Sequence, residues 1–256
     1  MKRFFQILLF LLFTASVVAL MVYVYLEHEK KPLGDIVIHV ARPTDEGFLD
    51  KSEIYDYIES FISDTAKLKD VDLEFIEDSL AKNPWVENLD AFTDIDGDLI
   101  INIREVEPLL RVFNREGVSF LLDKQGKILP LSKKYSPRLL VANGYIDVTP
   151  RAGYKFITDT VYRNSNLEAL KTITDAINGF PFLQSLIGEI YVNSKNEFDL
   201  IPIVNGQLIH LGDTTNLNQK LENLIVFYKK SLVYEGWDKY KTLNLKYRNQ
   251  IVCTKK

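Results

Sequence analysis

One uncharged stretch near the N-terminus constrains this chain more than any other feature. Residues 4–26 carry no charge, and Gln6 is their one strongly polar side chain. As a helix these 23 residues would extend about 34 Å, enough to span a bilayer hydrocarbon core about 30 Å thick. Fifteen of them are Leu, Ile, Phe or Val, each favouring insertion by about 0.3 to 0.6 kcal/mol. The stretch therefore predicts a transmembrane helix.

A cleaved signal peptide is the competing interpretation of this stretch. Val17 and Ala19 fit a small-residue cleavage site that follows a basic start. The apolar run continues for seven residues past Ala19, which favours a retained anchor. Lys2 and Arg3 favour a cytoplasmic N-terminus, although two lysines just beyond the helix weaken the charge bias. We therefore expect a short cytoplasmic stub and a large outer part.

The composition of the outer part fits packed domains. The chain is 46% hydrophobic and 26% charged, so the 230 residues after the helix can bury cores for one or two domains. The outer part holds 29 Lys and Arg against 35 Asp and Glu, a net charge of −6, which weighs against general nucleic-acid binding. Cys253 is the sole cysteine, so no intrachain disulfide can form and stability must come from packing.

Residues 80–108 predict the closing half of a small α/β unit. They indicate a helix stopped by proline, a strand, an acidic turn containing Gly97, and a second strand whose apolar residues alternate. The sequence reads Leu80-x-x-Asn83-Pro84-Trp85-Val86 before the turn and Leu99-x-Ile101-x-Ile103-x-Glu105-x-x-Pro108 after it. A Trp that follows a helix-stopping proline is expected in the core rather than in a ligand platform.

A strand and two helices are predicted ahead of this run. Residues 36–40 are rich in β-branched side chains and indicate a strand. Asp50 with Glu53 forms a plausible capping pair for one helix, and a second helix is expected to begin near Asp72 and end before Pro84. The apolar positions of the two helices recur at helical spacing: Ile54, Tyr57, Ile58, Phe61 and Ile62, then Leu73, Ile76 and Leu80. The resulting order is β-α-α-β-β.

The second half of the chain predicts a mostly antiparallel sheet with two helices. Strands at 119–122 and 127–131 flank a turn at Gly126, and strands at 197–204 and 207–211 flank the hairpin signal Asn205-Gly206. One helix is expected at 167–177, with Ser165 and Glu168 as a capping pair and Gly179 and Pro181 beyond its end. The other is expected at 217–232.

The motif order resembles the FtsQ/DivIB family of bacterial cell-division proteins over nearly the full chain. Residues 80–108 are similar to the end of a polypeptide-transport-associated (POTRA) domain, in which Pro84, Trp85, Val86, Glu105 and Pro108 are expected to be structural. Further similar motifs are Leu122-Asp123-x-x-Gly126, Leu129-Pro130-Leu131, Ile209-x-Leu211-Gly212, Lys220-Leu221-x-x-Leu224 and Leu243-Asn244-Leu245-Lys246-Tyr247. Two departures are the long stretch 41–47, in place of a glycine, and Asn244 and Lys246, in place of the usual Asp and Arg.

The resemblance implies an α+β fold and a division function. The expected organisation is a cytoplasmic stub at 1–3, a transmembrane helix at 4–26, a linker at 27–35, a POTRA domain at 36–107 and a β domain at 108–256. It implies a non-enzymatic, bitopic scaffold of the divisome that binds FtsB and FtsL and helps recruit and control the septal synthases FtsW and FtsI. It would lie in the inner (plasma) membrane, with a periplasmic or other extracytoplasmic domain, enriched at the septum. A POTRA-type export chaperone and a membrane-anchored envelope enzyme are the alternatives.

The C-terminal segment is the expected partner-binding site. Residues 241–256 hold five Lys or Arg and no acidic residue, a charge of +5 that leaves −11 on the rest of the outer part. Such asymmetry can steer an acidic partner, but basic residues can also keep an exposed strand edge from pairing. The resemblance favours binding of an added FtsB strand, with residues 36–40 as the next candidate edge. The expected partner-binding residues are Leu245, Lys246, Tyr247, Arg248, Asn249, Gln250, Ile251 and Val252.

Alternation along the last predicted strand assigns a direction to each side chain. Leu243, Leu245 and Tyr247 are expected to point to the core, which leaves Lys246 and Arg248, with Gln250, toward the partner or solvent.

No metal, cofactor or catalytic residue is predicted. Asp94-x-Asp96-x-Asp98 resembles the start of a calcium loop, but Leu99 stands where such a loop requires glycine. The three histidines have no second ligand at metal-binding spacing, which favours solvated or packed imidazoles. No nucleophile elbow, phosphate-binding loop or zinc-protease signature occurs. The alternation of the strands and the order of the motifs therefore carry the functional prediction.

Overall fold

The chain folds into two compact units. The computed structural model describes residues 2–63, 66–153, 155–204, 206–248 and 250–256. Contacts between residues divide the chain into a first unit, Met1–Val106, and a second unit, Glu107–Lys256.

The first unit begins with a long exposed helix, α1 (Lys2–His28). Within Phe4–His28, the most apolar 18-residue window has a mean hydropathy of 2.7, and none of that window is buried against protein. In the described part of the chain it is the one helix whose length and composition suit a membrane span. It continues two residues past position 26, into the segment expected to be linker.

The remainder of the first unit is a small two-layer domain. Its elements are β1 (Ile36–Ala41), α2 (Lys51–Glu59), α3 (Leu73–Ala81), β2 (Val86–Thr93) and β3 (Leu99–Glu105). The sheet order is β1-β3-β2, with β1 parallel and β2 antiparallel to the central β3. The predicted β-α-α-β-β order is confirmed. The alternating residues Leu99, Ile101 and Ile103 of β3 are buried, as their spacing predicts.

Side-chain caps fix where the two helices begin. The Asp50 carboxylate accepts a hydrogen bond from the Ser52 N–H, and the Asp72 carboxylate accepts one from the Phe75 N–H. Each satisfies a backbone donor that has no partner within its helix. Both helix starts agree with the sequence prediction, and α3 ends before Pro84 as expected.

Three of the predicted POTRA motif residues are buried in this domain: Trp85, Val86 and Glu105. Pro84 is exposed, and Pro108 begins the first strand of the second unit. The indole of Trp85 is buried and stacks on Phe48, with ring centroids 3.8 Å apart and planes 2° from parallel. Its carbonyl accepts a hydrogen bond from the Val106 N–H. The prediction that Trp85 is a core residue is therefore confirmed. Pro84 lies in the turn after α3 and Val86 begins β2, so the motif joins a helix to the sheet.

A buried carboxylate, that of Glu105, links the end of the sheet to the segment before α2. Glu105, at the end of β3, accepts hydrogen bonds from the backbone N–H groups of Phe48 and Leu49, at 2.7 and 3.3 Å. The Arg42 guanidinium lies 3.9 Å from it. A Cβ at Gly47 would come within 2.6 Å of this carboxylate, so a larger residue there would push the Glu105 side chain away from its partners. The stretch 41–47, which departs from the family pattern, thus folds onto Glu105.

The second unit is built on a nine-stranded mixed sheet within the described residues. Its strands are β4 (Pro108–Phe113), β5 (Ser119–Asp123), β6 (Ile128–Leu129), β7 (Leu140–Gly144), β8 (Ile187–Val192), β9 (Phe198–Pro202), β10 (Leu208–Gly212), β11 (Tyr240–Asn244) and β12 (Val252–Lys255). Their order is β12-β11-β10-β9-β8-β7-β4-β5-β6. Five neighbouring pairs are antiparallel, so the mostly antiparallel prediction is confirmed.

Three parallel pairs distinguish this sheet from a series of hairpins. They are β4 with β7, β7 with β8, and β10 with β11. Parallel neighbours need long crossover connections, and two of these crossovers contain the helices of the unit. Those helical elements are α4 (Leu167–Asn178), α5 (Pro181–Leu186), α6 (Leu217–Val226), a π-type turn (Phe227–Ser231) and α7 (Leu232–Glu235).

The helices differ from the prediction in three details. Pro181 was expected only to follow a helix, but it occupies the first turn of α5, where its missing N–H costs nothing. The N-cap of α4 is Asn166 rather than Ser165, whose hydroxyl accepts a weak 3.4 Å bond from the Leu167 N–H. The predicted helix at 217–232 is continuous, with the wider π-type turn inside it.

The two predicted hairpins are formed, although the second strand of one and the first strand of the other are shorter than predicted. β6 covers Ile128–Leu129 instead of 127–131. β9 and β10 pair antiparallel as expected. Asn205 of the hairpin signal lies outside the described residues, whereas Gly206 adopts a positive φ of 55°, which suits a tight turn.

A buried tyrosine fixes the π-type turn against the sheet. The Tyr228 hydroxyl donates to the side-chain oxygen of Gln207 at 2.8 Å, and the amide nitrogen of Gln207 donates to the Trp237 carbonyl at 2.6 Å. Burial raises the pKa of Tyr228. Because each buried polar atom in this chain of contacts has a partner, the contacts hold the turn in one position.

Removing the Glu105 carboxylate should destabilise the first unit. Glu105→Ala leaves the backbone N–H groups of Phe48 and Leu49 without their acceptor, at an expected cost of about 2 to 3 kcal/mol. Urea denaturation of the outer part measures the loss. Asp90→Asn, on the exposed side of β2, is the control and should change stability by less than about 0.5 kcal/mol. Equal stability of both variants would show that Glu105 does not hold the unit.

Candidate functional site

The sheet of the second unit ends on one side in β12. This strand pairs antiparallel with β11, from Asn244 opposite Val252 to Tyr240 opposite Lys255. No strand in the described part of the chain lies on its other side. The outward backbone groups of β12 can therefore accept an additional strand.

The opposite edge strand of the sheet, β6, is short and partly covered by another segment of the chain. β6 is two residues long, and the Ile128 N–H donates to the Lys155 carbonyl at 2.7 Å. A further bridge joins Lys127 to Phe156. That edge is thus short and partly covered by its own chain, so β12 is the better docking edge of the two.

Alternating burial gives β12 a packed face and an open face. Ile251 and Cys253 pack against the hydrophobic core, and burial raises the pKa of the Cys253 thiol. Val252 is 45% exposed and Thr254 is also exposed. Because a shift of one residue would turn the packed side chains outward, this pattern specifies the register of β12.

The predicted binding residues divide between β12 and the loop before it. Leu245 is buried, and its N–H donates to the His210 carbonyl at 2.9 Å. Tyr247 is 51% exposed, so the prediction that it points to the core is wrong. The reason is that β11 ends at Asn244, after which the two-residue alternation no longer applies. Arg248 and Gln250 are exposed, and Asn249 lies outside the described residues.

Lys246 is held by the domain itself. Its ammonium lies 2.9 and 3.1 Å from the two carboxylate oxygens of Glu197. Its side chain crosses Gly212, where a Cβ would come within 2.8 Å of the lysine carbons and where φ is +80°. The hydrogen bond with Lys246 lowers the pKa of Glu197, and the hydrogen bond with Glu197 raises the pKa of Lys246. Lys246 therefore fixes the loop onto the sheet, which sequence analysis did not foresee.

A histidine–carboxylate pair lies next to this loop. The imidazole Nδ1 of His210 is 2.7 Å from the carboxylate of Asp199, on the neighbouring strand β9. In the parallel pairing on the other side, His210 is opposite Asn244. The sequence predicted a solvated or packed imidazole at His210 and did not indicate this pair. Counting residues outward from the Asn205-Gly206 hairpin signal places His210 opposite Ile201, two positions away from Asp199, so this signal alone does not reveal the pair.

A polar cleft of about 190 Å³ adjoins the loop. One wall is formed by the start of α6, including Asn216 and Gln219, and the other by Tyr247, Arg248 and Ile251. The Lys220 ammonium at its rim donates to Asp213 at 3.0 Å, which lowers the pKa of that carboxyl. The loop therefore borders a concave surface that lies beside the open edge of β12.

Among the described side chains, only two of the five cations in the basic segment 241–256 form ion pairs. Lys246 pairs with Glu197, and Lys256 lies 3.6 Å from Asp238. The remaining three are exposed and form no ion pair with a described side chain: Lys241, Arg248 and Lys255. A positive surface thus borders the β12 edge.

The acidic turn considered for calcium is explained by its own hydrogen bonds. The Asp94 carboxylate accepts from the backbone N–H groups of Gly97 and Asp98, which lowers its pKa. In the described part of the chain, no group of three or more His, Cys, Asp or Glu residues could hold a metal ion.

Comparison with protein families decides the identity of both units. A family model described as FtsQ/DivIB, C-terminal related, matches residues 107–254. The chain belongs to the FtsQ/DivIB family. A POTRA-like domain model matches residues 34–104, and no curated protein matches the chain. The resemblance stated from sequence is therefore confirmed, together with the α+β fold.

Membership in the FtsQ/DivIB family also settles the general class of function. This is a family of non-enzymatic cell-division proteins, and its domains support a scaffold role. The single apolar helix fits a single-pass membrane protein of that class.

Replacing Lys246 by Gln should raise the pKa of Glu197, because the carboxylate loses the cation that stabilises its charged form. A carboxyl whose pKa is lowered by folding stabilises the fold above its unfolded-state pKa, and this contribution is lost as pH falls through its folded-state pKa. The variant should thus be less stable at pH 7, by no more than about 1 kcal/mol for an exposed pair. The difference should shrink as pH falls through the folded-state pKa of Glu197 and vanish once this carboxyl is protonated in both the folded and the unfolded state.

NMR titration of the Glu197 carboxyl and thermal denaturation across pH measure these two effects. Lys133→Gln, an exposed lysine after β6, is the matched control and should alter neither. An unchanged Glu197 titration in the Lys246 variant would show that the ion pair does not form in solution.

Proposed function

We propose that this FtsQ/DivIB protein is a divisome scaffold that binds FtsB- and FtsL-type bitopic partners and thereby helps recruit and regulate the septal synthases FtsW and FtsI. The observation that carries the proposal is the family match over residues 107–254, which includes nearly the whole open edge of the sheet. The proposal assigns the chain no catalytic step and no cofactor.

The partner would bind by adding a strand to β12. Backbone hydrogen bonds along the open edge supply affinity in this mode, and pockets for alternate side chains supply specificity. The Lys256 N–H donates inward, to the Lys239 carbonyl, so alternation directs the N–H groups of Lys255 and Cys253 toward the open side. The loop and cleft at Tyr247 and Arg248 extend the surface beyond the strand.

Charge would guide the partner to this edge. Residues 241–256 carry +5 and the rest of the outer part carries −11, so an acidic segment is attracted here and repelled elsewhere. The exposed Lys241, Arg248 and Lys255 are the cations available for this role. Lys246 acts instead by holding the loop.

The anchor would contribute by confinement. A membrane helix with a cytoplasmic N-terminus places the outer units in a thin layer on the periplasmic or extracytoplasmic side of the inner (plasma) membrane. Other tethered division proteins share that layer, so their effective concentration is raised without any new contact. Enrichment at the septum follows from binding to partners that gather there.

Depletion tests the division function. Cells that lose the protein should elongate or form chains without septa while side-wall synthesis continues, because the synthases are no longer recruited. Microscopy with a fluorescent cell-wall label measures septum frequency. Normal septation after complete removal, with no second copy present, would refute the proposal.

Two substitutions at one position test strand addition at β12. Lys255→Pro removes an outward N–H and places the proline ring on the open side, a position that edge strands tolerate. Lys255→Gln removes the same charge but keeps the N–H. The Pro variant should lose at least about tenfold in affinity for the FtsB-type partner, roughly one or two hydrogen bonds, and the Gln variant only a few-fold.

Isothermal titration of the outer part with the partner segment measures both affinities. Equal affinities of the Pro and Gln variants would contradict strand addition at this edge. The edge strand β1 of the first unit would then be the next site to examine.

A further inference from the structure

The residues that follow α1 are tied to the POTRA domain by backbone hydrogen bonds. The Leu33 N–H donates to the Ala66 carbonyl at 3.0 Å, and the Leu68 N–H donates to the Lys31 carbonyl at 3.1 Å. The Lys69 N–H donates to the Glu29 carbonyl in the same manner, at 3.2 Å. The segment after the helix is thus paired like a short strand. These hydrogen bonds attach the end of α1 to the POTRA domain.

The other side of this segment holds the β2–β3 hairpin. The Gly34 N–H donates to the Gly97 carbonyl at 2.9 Å, and the Lys31 ammonium donates to the Ile95 carbonyl at 3.0 Å. Gly97 has a φ of +104°, which lets the turn reverse within this small space. The end of the hairpin, residues 92–95, which we call the POTRA tip, therefore lies beside the end of the membrane helix.

An open, mostly apolar groove separates the POTRA tip from the helix. On the tip, Ile95 is 85% exposed and Phe92 is 41% exposed. On the helix, the lining side chains come from its last two turns and include Met21, Tyr23, Val24 and Tyr25. The groove is continuous with the exposed apolar surface of α1.

The depth of the groove follows from helix geometry. Met21 is seven residues before His28, so the groove extends about 10 Å down the helix at about 1.5 Å per residue. The 25 residues of Phe4–His28 extend about 37 Å, beyond a hydrocarbon core of about 30 Å but within the roughly 40 to 45 Å that includes headgroups. The groove thus opens where acyl chains meet headgroups, a level at which tyrosines are enriched.

We propose that the POTRA tip inserts into the interfacial layer of the same bilayer that holds α1, and that lipid fills the groove between tip and helix. An apolar groove of this kind is unfavourable in water and marks an interaction surface. Its continuity with the membrane-spanning helix identifies the occupant as lipid. The domain is then attached to the membrane in two ways, through the helix that spans the bilayer and through the tip inserted at its surface.

The charges around the POTRA tip suit a zwitterionic surface. The Asp94 carboxylate is directed into its own turn by two backbone hydrogen bonds, which leaves Asp96 as the exposed acid next to Ile95. The Lys31 ammonium lies against the tip, and Lys30 pairs with Glu27 at 3.2 Å. Residues 27–31 and 94–98 together hold five acidic side chains and two lysines, a net charge of −3, so anionic lipid is not attracted here and insertion depends on the apolar side chains.

Depth-dependent quenching in the full-length protein tests the proposal. The protein carries Cys253→Ser, is reconstituted in phosphatidylcholine nanodiscs, and bears an environment-sensitive fluorophore at Ile95→Cys. The control is Asn88→Cys, an exposed site on β2, the strand that leads into the POTRA tip, about 17 Å along that strand from Thr93. Nitroxide lipids labelled near the headgroup should quench the fluorophore at position 95 at least three-fold more than at position 88.

Two further arms test the lipid requirement and the role of the segment after α1. Quenching should be similar when a third of the lipid is phosphatidylglycerol. Insertion of six Gly and Ser residues between His28 and Glu29 should reduce quenching at position 95 to the level at position 88, because the segment no longer holds the tip at the helix.

Three outcomes would overturn the proposal. The first is equal quenching at positions 95 and 88 in phosphatidylcholine. The second is quenching that appears only with anionic lipid, which indicates electrostatic adsorption. The third is protection of position 95 only after a partner protein is added, which assigns the groove to that protein. Persistent quenching in the insertion variant would overturn the role given to the segment after α1.

Discussion

The open sheet of the second unit has two edge strands, and whether each one is covered decides where a further strand can pair. One face of the sheet is covered by helices, with buried side chains such as Leu170 and Ile173 on α4 and Leu221 and Leu224 on α6. Those helices occupy the crossovers that parallel neighbours require. The sheet is open, with β12 and β6 as its two edge strands. The edge at β6 is short and partly covered, whereas β12 has no strand on its outer side among the described residues.

Local signals in the sequence predicted local structure well. The caps Asp50 and Asp72, the helix-stopping Pro84 and the alternation along β3 all depend on neighbours within a few residues, and the structure agrees with each. The parallel strand pairs were not predicted, because hydrophobic periodicity gives the face of a strand but not its neighbour. The start of α5 was missed because a proline after a helix can end one element or begin the next.

The candidate site shows the same division between local and long-range information. The basic character of residues 241–256 can be counted from sequence, and it remains the basis of the binding proposal. The pairing of Lys246 with Glu197 joins residues 49 positions apart, and nothing in either local sequence indicates it. The inward direction assigned to Tyr247 failed because the end of β11 depends on the loop that returns to β12.

The attachment of β11 to the rest of the sheet has a consequence for dynamics. β10 and β11 share three register pairs, Leu208–Thr242 to His210–Asn244, so the outer hairpin of β11 and β12 is joined by few ladder bonds. Elements with few such bonds open first in native-state hydrogen exchange. A strand added to β12 would protect amides in β11 and β12 together, so the binding edge would behave as a cooperative unit that becomes rigid on assembly.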